Sequence, residues 1–174
     1  FTVTDDEDPV ISGTPSDITQ TADAEQCAAV VTFTAATADD NCGIATFSGS
    51  ANSGDSFPVG ATTVTYTATD DAGNTSTSSF TVTITDDEAP VITGTPTNIQ
   101  ADMDASSCDA VVSWTAPSTT DNCSTTLTSS HDSGDTFNGG VTTVTYTSTD
   151  GAGNVTTSSF TVTVSDAEDP TIAG

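Results

Sequence analysis

The sequence predicts an all-β fold, tandem β-sandwich domains joined by short acidic linkers, and three observations carry that expectation. The chain repeats itself at a spacing of 80–81 residues. Apolar residues alternate with threonine and serine at period two. Runs rich in Asp, Asn and Gly separate the alternating segments.

The repeat is close enough to set boundaries. Cys27 and Cys108 stand 81 apart, as do Cys42 and Cys123, and Tyr66 and Tyr146 stand 80 apart. Asp86-Asp87-Glu88-Ala89-Pro90 repeats Asp5-Asp6-Glu7-Asp8-Pro9. Two copies of one unit are therefore expected, over 5–85 and 86–165. Residues 1–4 match 82–85 and read as the end of a preceding repeat; 166–174 read as the start of a following one.

Within a copy, Val64, Tyr66 and Ala68 share one face of a run whose other face is threonine, the pattern of a half-buried antiparallel strand. Phe80, Val82 and Ile84 do the same in the next run. Asp70-Asp71-Ala72-Gly73-Asn74 between them has tight-turn chemistry, which predicts a hairpin. Cys27, Ala29, Val31 and Phe33 line one face of another strand, matched by Cys108, Ala110, Val112 and Trp114. No helical periodicity is present, and the spacing of turns predicts about seven strands per copy.

Composition excludes whole classes of function. The 174 residues contain no Lys or Arg, 25 Asp plus Glu and one His, for a formal charge of −25. Binding nucleic acid or an anionic membrane requires cations that displace counterions, and this chain has none. No apolar run approaches the roughly 18 residues needed to span a bilayer, so no direct membrane insertion is expected. Catalysis lacks its usual constellations. His131 has no counterpart in the first copy, which leaves a Ser-His-Asp arrangement unsupported. Asp132-Ser133-Gly134 looks like an aspartic-protease signature, but the first copy has Asn52-Ser53-Gly54 and cannot complete a dyad. The chain is not expected to be an enzyme.

Both copies resemble the hyalin repeat (HYR), an immunoglobulin-like extracellular module. The resemblance rests on Cys27 to Asp40-Asn41-Cys42-Gly43, then Phe57-Pro58-Val59-Gly60, Thr63 to Asp70, Gly73-Asn74 and Phe80-Thr81-Val82-Thr83, in the same order twice. It implies tandem immunoglobulin-like β-sandwiches in an extracellular, oxidising setting. Family members commonly carry two further cysteines, at places that here hold Gly13 or Thr14 and Ser78. If those two form one family bridge, the resemblance implies disulfides Cys27–Cys42 and Cys108–Cys123, although four cysteines allow three connectivities. A count of strand directions agrees: with 43–49 and 55–58 running oppositely, Cys27 and Cys42 fall at the same pole.

The carboxylates are concentrated in linkers and turns. The linkers hold Asp5, Asp6, Glu7 and Asp8, then Asp86, Asp87 and Glu88, then Asp166, Glu168 and Asp169. The hairpin loops hold Asp70 with Asn74 and Asp150 with Asn154; the loops before the second cysteine hold Asp40-Asn41 and Asp121-Asn122; the first turns hold Asp23, Glu25, Asp102 and Asp104. By the same strand count, Asp23, Glu25, Asp40 and Asn41 share a joint with Asp86, Asp87, Glu88, Asp150 and Asn154. Crowded carboxylates repel unless a cation intervenes, and the chain supplies none itself. Calcium suits them, because it takes six to eight oxygens from separate loops in irregular geometry. The competing reading is that Asp and Asn merely form turns and confer solubility.

These readings lead to one expected function: a structural segment of an extracellular fibre or cell-surface stalk, stiffened by calcium at interdomain joints and by intradomain disulfides. Its partners would be neighbouring copies of the same repeat. The alternatives are an adhesive module that binds glycan or surface protein through loops 50–56 or 130–136, and a subunit that polymerises by strand donation through 1–4 or 167–174.

Overall fold

The computed structural model describes residues 3–167, and the chain divides into two compact units, 1–87 and 88–174. Every element among the described residues is a β-strand. The first unit contains β1 (Val10–Ser12), β2 (Ile18–Thr21), β3 (Ala28–Val30), β4 (Thr37–Asp39), β5 (Ile44–Gly49), β6 (Ser56–Pro58), β7 (Gly60–Asp70) and β8 (Thr75–Thr85). The second contains β9 (Val91–Thr93), β10 (Ile99–Asp102), β11 (Asp109–Val111), β12 (Ser118–Thr120), β13 (Thr125–Ser129), β14 (Thr136–Asn138), β15 (Gly140–Asp150) and β16 (Val155–Ser165).

Each unit is an immunoglobulin-like sandwich. In the first, one layer is the four-stranded sheet β2-β8-β7-β5, and the other is assembled from the pairs β1-β4 and β3-β6. The predicted hairpin forms the spine: β7 and β8 pair antiparallel from Gly60↔Ile84 to Thr69↔Thr75. β2 joins its edge in parallel, Ile18↔Val82 to Thr21↔Thr85. Period two explains the core directly. Val64, Tyr66, Phe80, Val82 and Ile84 face inward and meet Ala29, Val31, Ala36 and Phe57 of the second layer. The second unit repeats the arrangement with β10-β16-β15-β13 over β9-β12 and β11-β14, around Val144, Tyr146, Phe160, Val162 and Val164. Thr14 and Ser78 hydrogen-bond through their hydroxyls at 2.7 Å, and Thr95 and Ser158 do so at 2.8 Å.

The strand directions differ from the expected count at one place. β5 is antiparallel to β7, with Ile44 opposite Asp70 and Gly49 opposite Tyr66. β6 then continues the same way, since Pro58 leads to Gly60 at the far end of β7. The chain does not reverse at 50–55; it crosses from one layer to the other and keeps its heading. Asn52 and Asp55 make that crossover, with the Asn52 N–H donating to the Asp55 carboxylate at 2.7 Å and Gly54 at φ +93°.

One consequence is a correction to the expected disulfides. Cys27 lies beside Val59, whose N–H donates to its carbonyl at 3.2 Å, near the Thr85 end of the sandwich. Cys42 lies near Asp70, at the other end. The eleven residues of β7 separate those ends, roughly 35 Å of extended chain, whereas bridged cysteines need Cα atoms within about 7 Å. Accordingly, Cys42 and Cys108 are free, exposed thiols, Cys27 and Cys123 are disulfide-bonded, and the bridges Cys27–Cys42 and Cys108–Cys123 are not formed. The segments invoked for strand donation, 1–4 and 167–174, lie largely outside the described residues.

Candidate metal centre

The centre of the first unit is built on β7. Its inward positions run Val64, Tyr66, Ala68 and then Asp70, so the buried face of an apolar strand ends in a carboxylate that is 2% exposed. The hairpin turn folds donors over it. Gly73 and Asn74 N–H groups donate to Oδ1 at 2.6 and 2.8 Å, and the Asn74 side chain donates to Oδ2 at 2.7 Å. Burial opposes ionisation of Asp70, but the Asn74 side chain and the Asn74, Gly73 and Ala72 amides outweigh it and hold the carboxyl below its ordinary range. The turn that makes this cradle is only accessible because Gly73 adopts φ +97°.

Pairing of the second layer brings two more carboxylates to the same pole. Val10 of β1 lies opposite Asp39 of β4, so the segment preceding β1 and the loop following β4 are neighbours. The first carries Asp5, the second Asp40. One oxygen from each of Asp5, Asp40 and Asp70 lies within 4.8 Å of the others. The Asp40 Oδ2 accepts the Cys42 N–H at 2.9 Å, which orients its other oxygen. That oxygen, Oδ1, and Asp5 Oδ2 are buried atoms with no hydrogen-bond donor. Around the cluster, Asn74 donates to the Asp5 carbonyl at 3.3 Å and Asn41 donates to Glu7 at 2.9 Å. The Asp5 carboxylate, by hydrogen bond and by charge, pushes the Cys42 thiol up, with burial, Asp40 and Asp70 adding to it.

The second unit repeats the cradle. Asp150 Oδ1 accepts the N–H groups of Ala152, Gly153 and Asn154 at 2.9, 2.6 and 2.8 Å, and Oδ2 accepts the Asn154 side chain at 2.7 Å. Burial again opposes ionisation, and the Asn154 side chain with the Asn154, Gly153 and Ala152 amides holds the carboxyl below its ordinary range. Asp121 brings a carboxylate oxygen within 4.8 Å of one on Asp150. Its Oδ2 accepts the Cys123 N–H at 3.0 Å and its Oδ1 is buried without a donor. The half-buried Asn122 follows it, and Asn154 also donates to the Glu88 carbonyl at 3.1 Å.

The grouping expected from the strand count changes accordingly. Asp40 and Asn41 belong with Asp5, Glu7, Asp70 and Asn74, at the pole opposite Asp23 and Glu25. Asp23 serves the other turn: its carboxylate accepts the Val30 N–H at 3.0 Å, and Glu25 holds φ +60°. Asp104 accepts the Val111 N–H at 3.3 Å in the same role, and Asp102 ends β10. Asp6, Asp8, Asp87 and Asp166 are not drawn into either cluster, and Asp86 is buried. Glu168 and Asp169 lie outside the described residues.

Chemically, each cluster offers carboxylate oxygens held in place by the surrounding turns, in a chain with no Lys or Arg to pair with them. Two ligand oxygens on opposite sides of a calcium ion stand about 4.8 Å apart, twice a bond of roughly 2.4 Å. The Asp5-Asp40-Asp70 oxygens fall within that limit, and the two without donors gain from a hard cation what no protein group provides.

A family model described as HYR domain matches residues 4–84 and again 85–164. The chain is 40% identical over 168 residues to hyalin from Lytechinus variegatus, covering 94% of this chain and 32% of that protein. It is 36% identical over 161 residues to hyalin from Strongylocentrotus purpuratus, covering 90% of this chain and 13% of the relative. It is also 39% identical to the sushi, von Willebrand factor type A, EGF and pentraxin domain-containing protein 1 of Rattus norvegicus, covering 86% of this chain and 4% of that protein. The chain thus spans at most about a third of these relatives. Among solved structures, Drosophila N-cadherin EC1-4 aligns over 92% of this chain and 50% of its own, at 14% identity and a TM-score of 0.34.

Proposed function

The chain belongs to the HYR domain family, as two tandem copies of an extracellular, non-enzymatic module, and from that premise we propose that it is a structural repeat segment whose acidic poles bind calcium. The observation that carries this reading is the Asp5-Asp40-Asp70 cluster. Two of its oxygens are buried without donors, in a chain with no Lys or Arg. In the second copy Asp121 and Asp150 correspond to Asp40 and Asp70, and the repeat of the acidic segment makes Asp86 the counterpart of Asp5.

Calcium at these positions would tie the segment entering a sandwich to the loops at its pole, and so restrain the linker that precedes it. The role is mechanical: modules of eleven-residue strands, each roughly 35 Å long, held in line by divalent ions along an array. Neighbouring copies of the repeat are the proposed partners.

The test is calcium titration of the whole chain by calorimetry, with thermal unfolding in calcium and in chelator and small-angle scattering under both conditions. Calcium is expected to raise both unfolding transitions and lengthen the particle. Asp40→Asn should remove the effect from the first unit and Asp121→Asn from the second. Identical melting and scattering in calcium and chelator would end this reading.

A further inference from the structure

The two units carry different side chains where the chain crosses between layers, and in the first a groove lies there. In the second unit Trp114 packs edge-on against Phe137 and Phe160, with centroids at 5.9 and 5.2 Å. Its indole N–H donates to the Tyr146 hydroxyl at 2.6 Å. His131 lies against Phe137 at 5.3 Å. The first unit keeps the same frame: the Phe33 N–H donates to Ser53 at 2.8 Å as the Trp114 N–H does to Ser133, and Phe33 meets Phe80 edge-on at 5.0 Å.

What the frame holds is smaller. Phe33 replaces the indole and Ala51 the imidazole. The Tyr66 hydroxyl, counterpart of the one Trp114 satisfies, is buried with no hydrogen-bond partner, in a residue 3% exposed. A groove of about 350 Å³ is walled by Tyr66 together with Phe33, Phe47, Gly49, Ala51 and Ser53. Phe47 stacks on Tyr66 at 5.6 Å, and a Cβ on Gly49 would come within 3.0 Å of the Tyr66 ring, so glycine is what leaves that wall open. The space has the apolar walls and single polar anchor of a recognition site, at the small end of the usual size.

We propose that this groove receives the tryptophan side chain of a partner protein, its indole between Phe33 and Phe47 and its N–H directed to the Tyr66 hydroxyl. The occupant is argued from the molecule itself. The second unit shows an indole satisfying the same tyrosine in the same frame, and an orphaned buried hydroxyl gains most from a donor carried on an apolar plate. Trp114 is the only tryptophan in these 174 residues and is engaged in its own core, so they hold no free tryptophan for the groove, and the occupant proposed is a partner's. With a charge of −25, the chain favours a tryptophan flanked by basic residues. The inference stands apart from the calcium reading, since none of the residues involved belongs to the acidic poles.

Nuclear magnetic resonance titration of the whole chain with N-acetyl-tryptophanamide tests it. Binding on the order of 0.1–1 mM is expected for one side chain, with shifts centred on Gly49, Ala51 and Ser53. The 1-methylindole analogue, which lacks the donor, should bind about 5-fold more weakly. Phe33→Trp fills the groove from within and should abolish binding. Tyr66→Phe removes only the hydroxyl and should erase the preference between the two probes, which keeps the test decisive if Phe33→Trp fails to fold. Absence of binding, equal affinity for both probes in the parent chain, or a folded Phe33→Trp that still binds would overturn the proposal.

Discussion

Trp114→Phe should destabilise the second unit by roughly 2–4 kcal/mol, a sum of two effects, a stranded hydroxyl and lost apolar contact. Trp114 donates to the hydroxyl of Tyr146, a residue 4% exposed, and removing the donor leaves that group buried and unpaired, a cost of about 1–3 kcal/mol. The smaller ring also gives up on the order of 40 Å² of apolar contact, about 1 kcal/mol. For a unit of this size, each kcal/mol is worth roughly 4–8 °C, so its melting temperature should fall by about 8–32 °C. Trp114 is the only tryptophan, so the assay is calorimetry or far-ultraviolet circular dichroism rather than fluorescence. Adding Tyr146→Phe to the variant removes the stranded hydroxyl and should return about 1 kcal/mol. A loss under about 0.5 kcal/mol, or a double variant weaker than the single, would refute the claim that the indole–phenol bond governs this corner of the core.

Acid should unfold both units. Asp70 and Asp150 are held below the ordinary carboxyl range when folded, so their contribution is complete above an unfolded value of about 3.9 and is lost as pH falls through the lower folded value. Urea midpoints measured from neutral pH downward should hold steady and then drop below about pH 4; a midpoint that rises there contradicts the assignment. Gly73→Ala should cost about 1–3 kcal/mol from backbone strain alone, because φ is +97° while an added methyl would meet no atom within 4 Å; an unchanged unfolding curve would show that the turn has another accessible conformation. Finally, Cys42 and Cys108 should alkylate in the native chain while Cys27 and Cys123 resist until reduced, read by peptide mass spectrometry. Because Asp5 pushes the Cys42 thiol up, Asp5→Asn should speed alkylation of Cys42 near neutral pH, and an unaffected rate would exclude that coupling.

Much of the candidate site is legible in the residues themselves. Asp70 and Asn74 belong to a hairpin signalled by turn chemistry between two alternating runs, and that hairpin forms with the expected faces. Which carboxylates keep company is not legible. A reversal between 43–49 and 55–58 would put Asp40 with Asp23, whereas the Asn52–Asp55 turn carries the chain across the sandwich without reversal. A short polar turn permits either path; its composition specifies local dihedrals, not which layer the next strand joins. The Tyr66 groove is hidden for a related reason. Phe33 opposite Trp114, and Ala51 opposite His131, are visible as exchanges between copies, but only packing shows that both remove volume from one place.

The residues alone determined the period, the strand faces, the absence of any Lys or Arg and the family resemblance, because repetition, alternation and charge are local properties that survive without coordinates. Tertiary structure decided which pole each carboxylate and cysteine occupies, since poles are defined by strand direction, and direction depends on long-range pairings such as Val10↔Asp39 and Ile44↔Asp70. Those pairings are chosen by how two layers close over a shared core, a collective outcome that no single turn encodes.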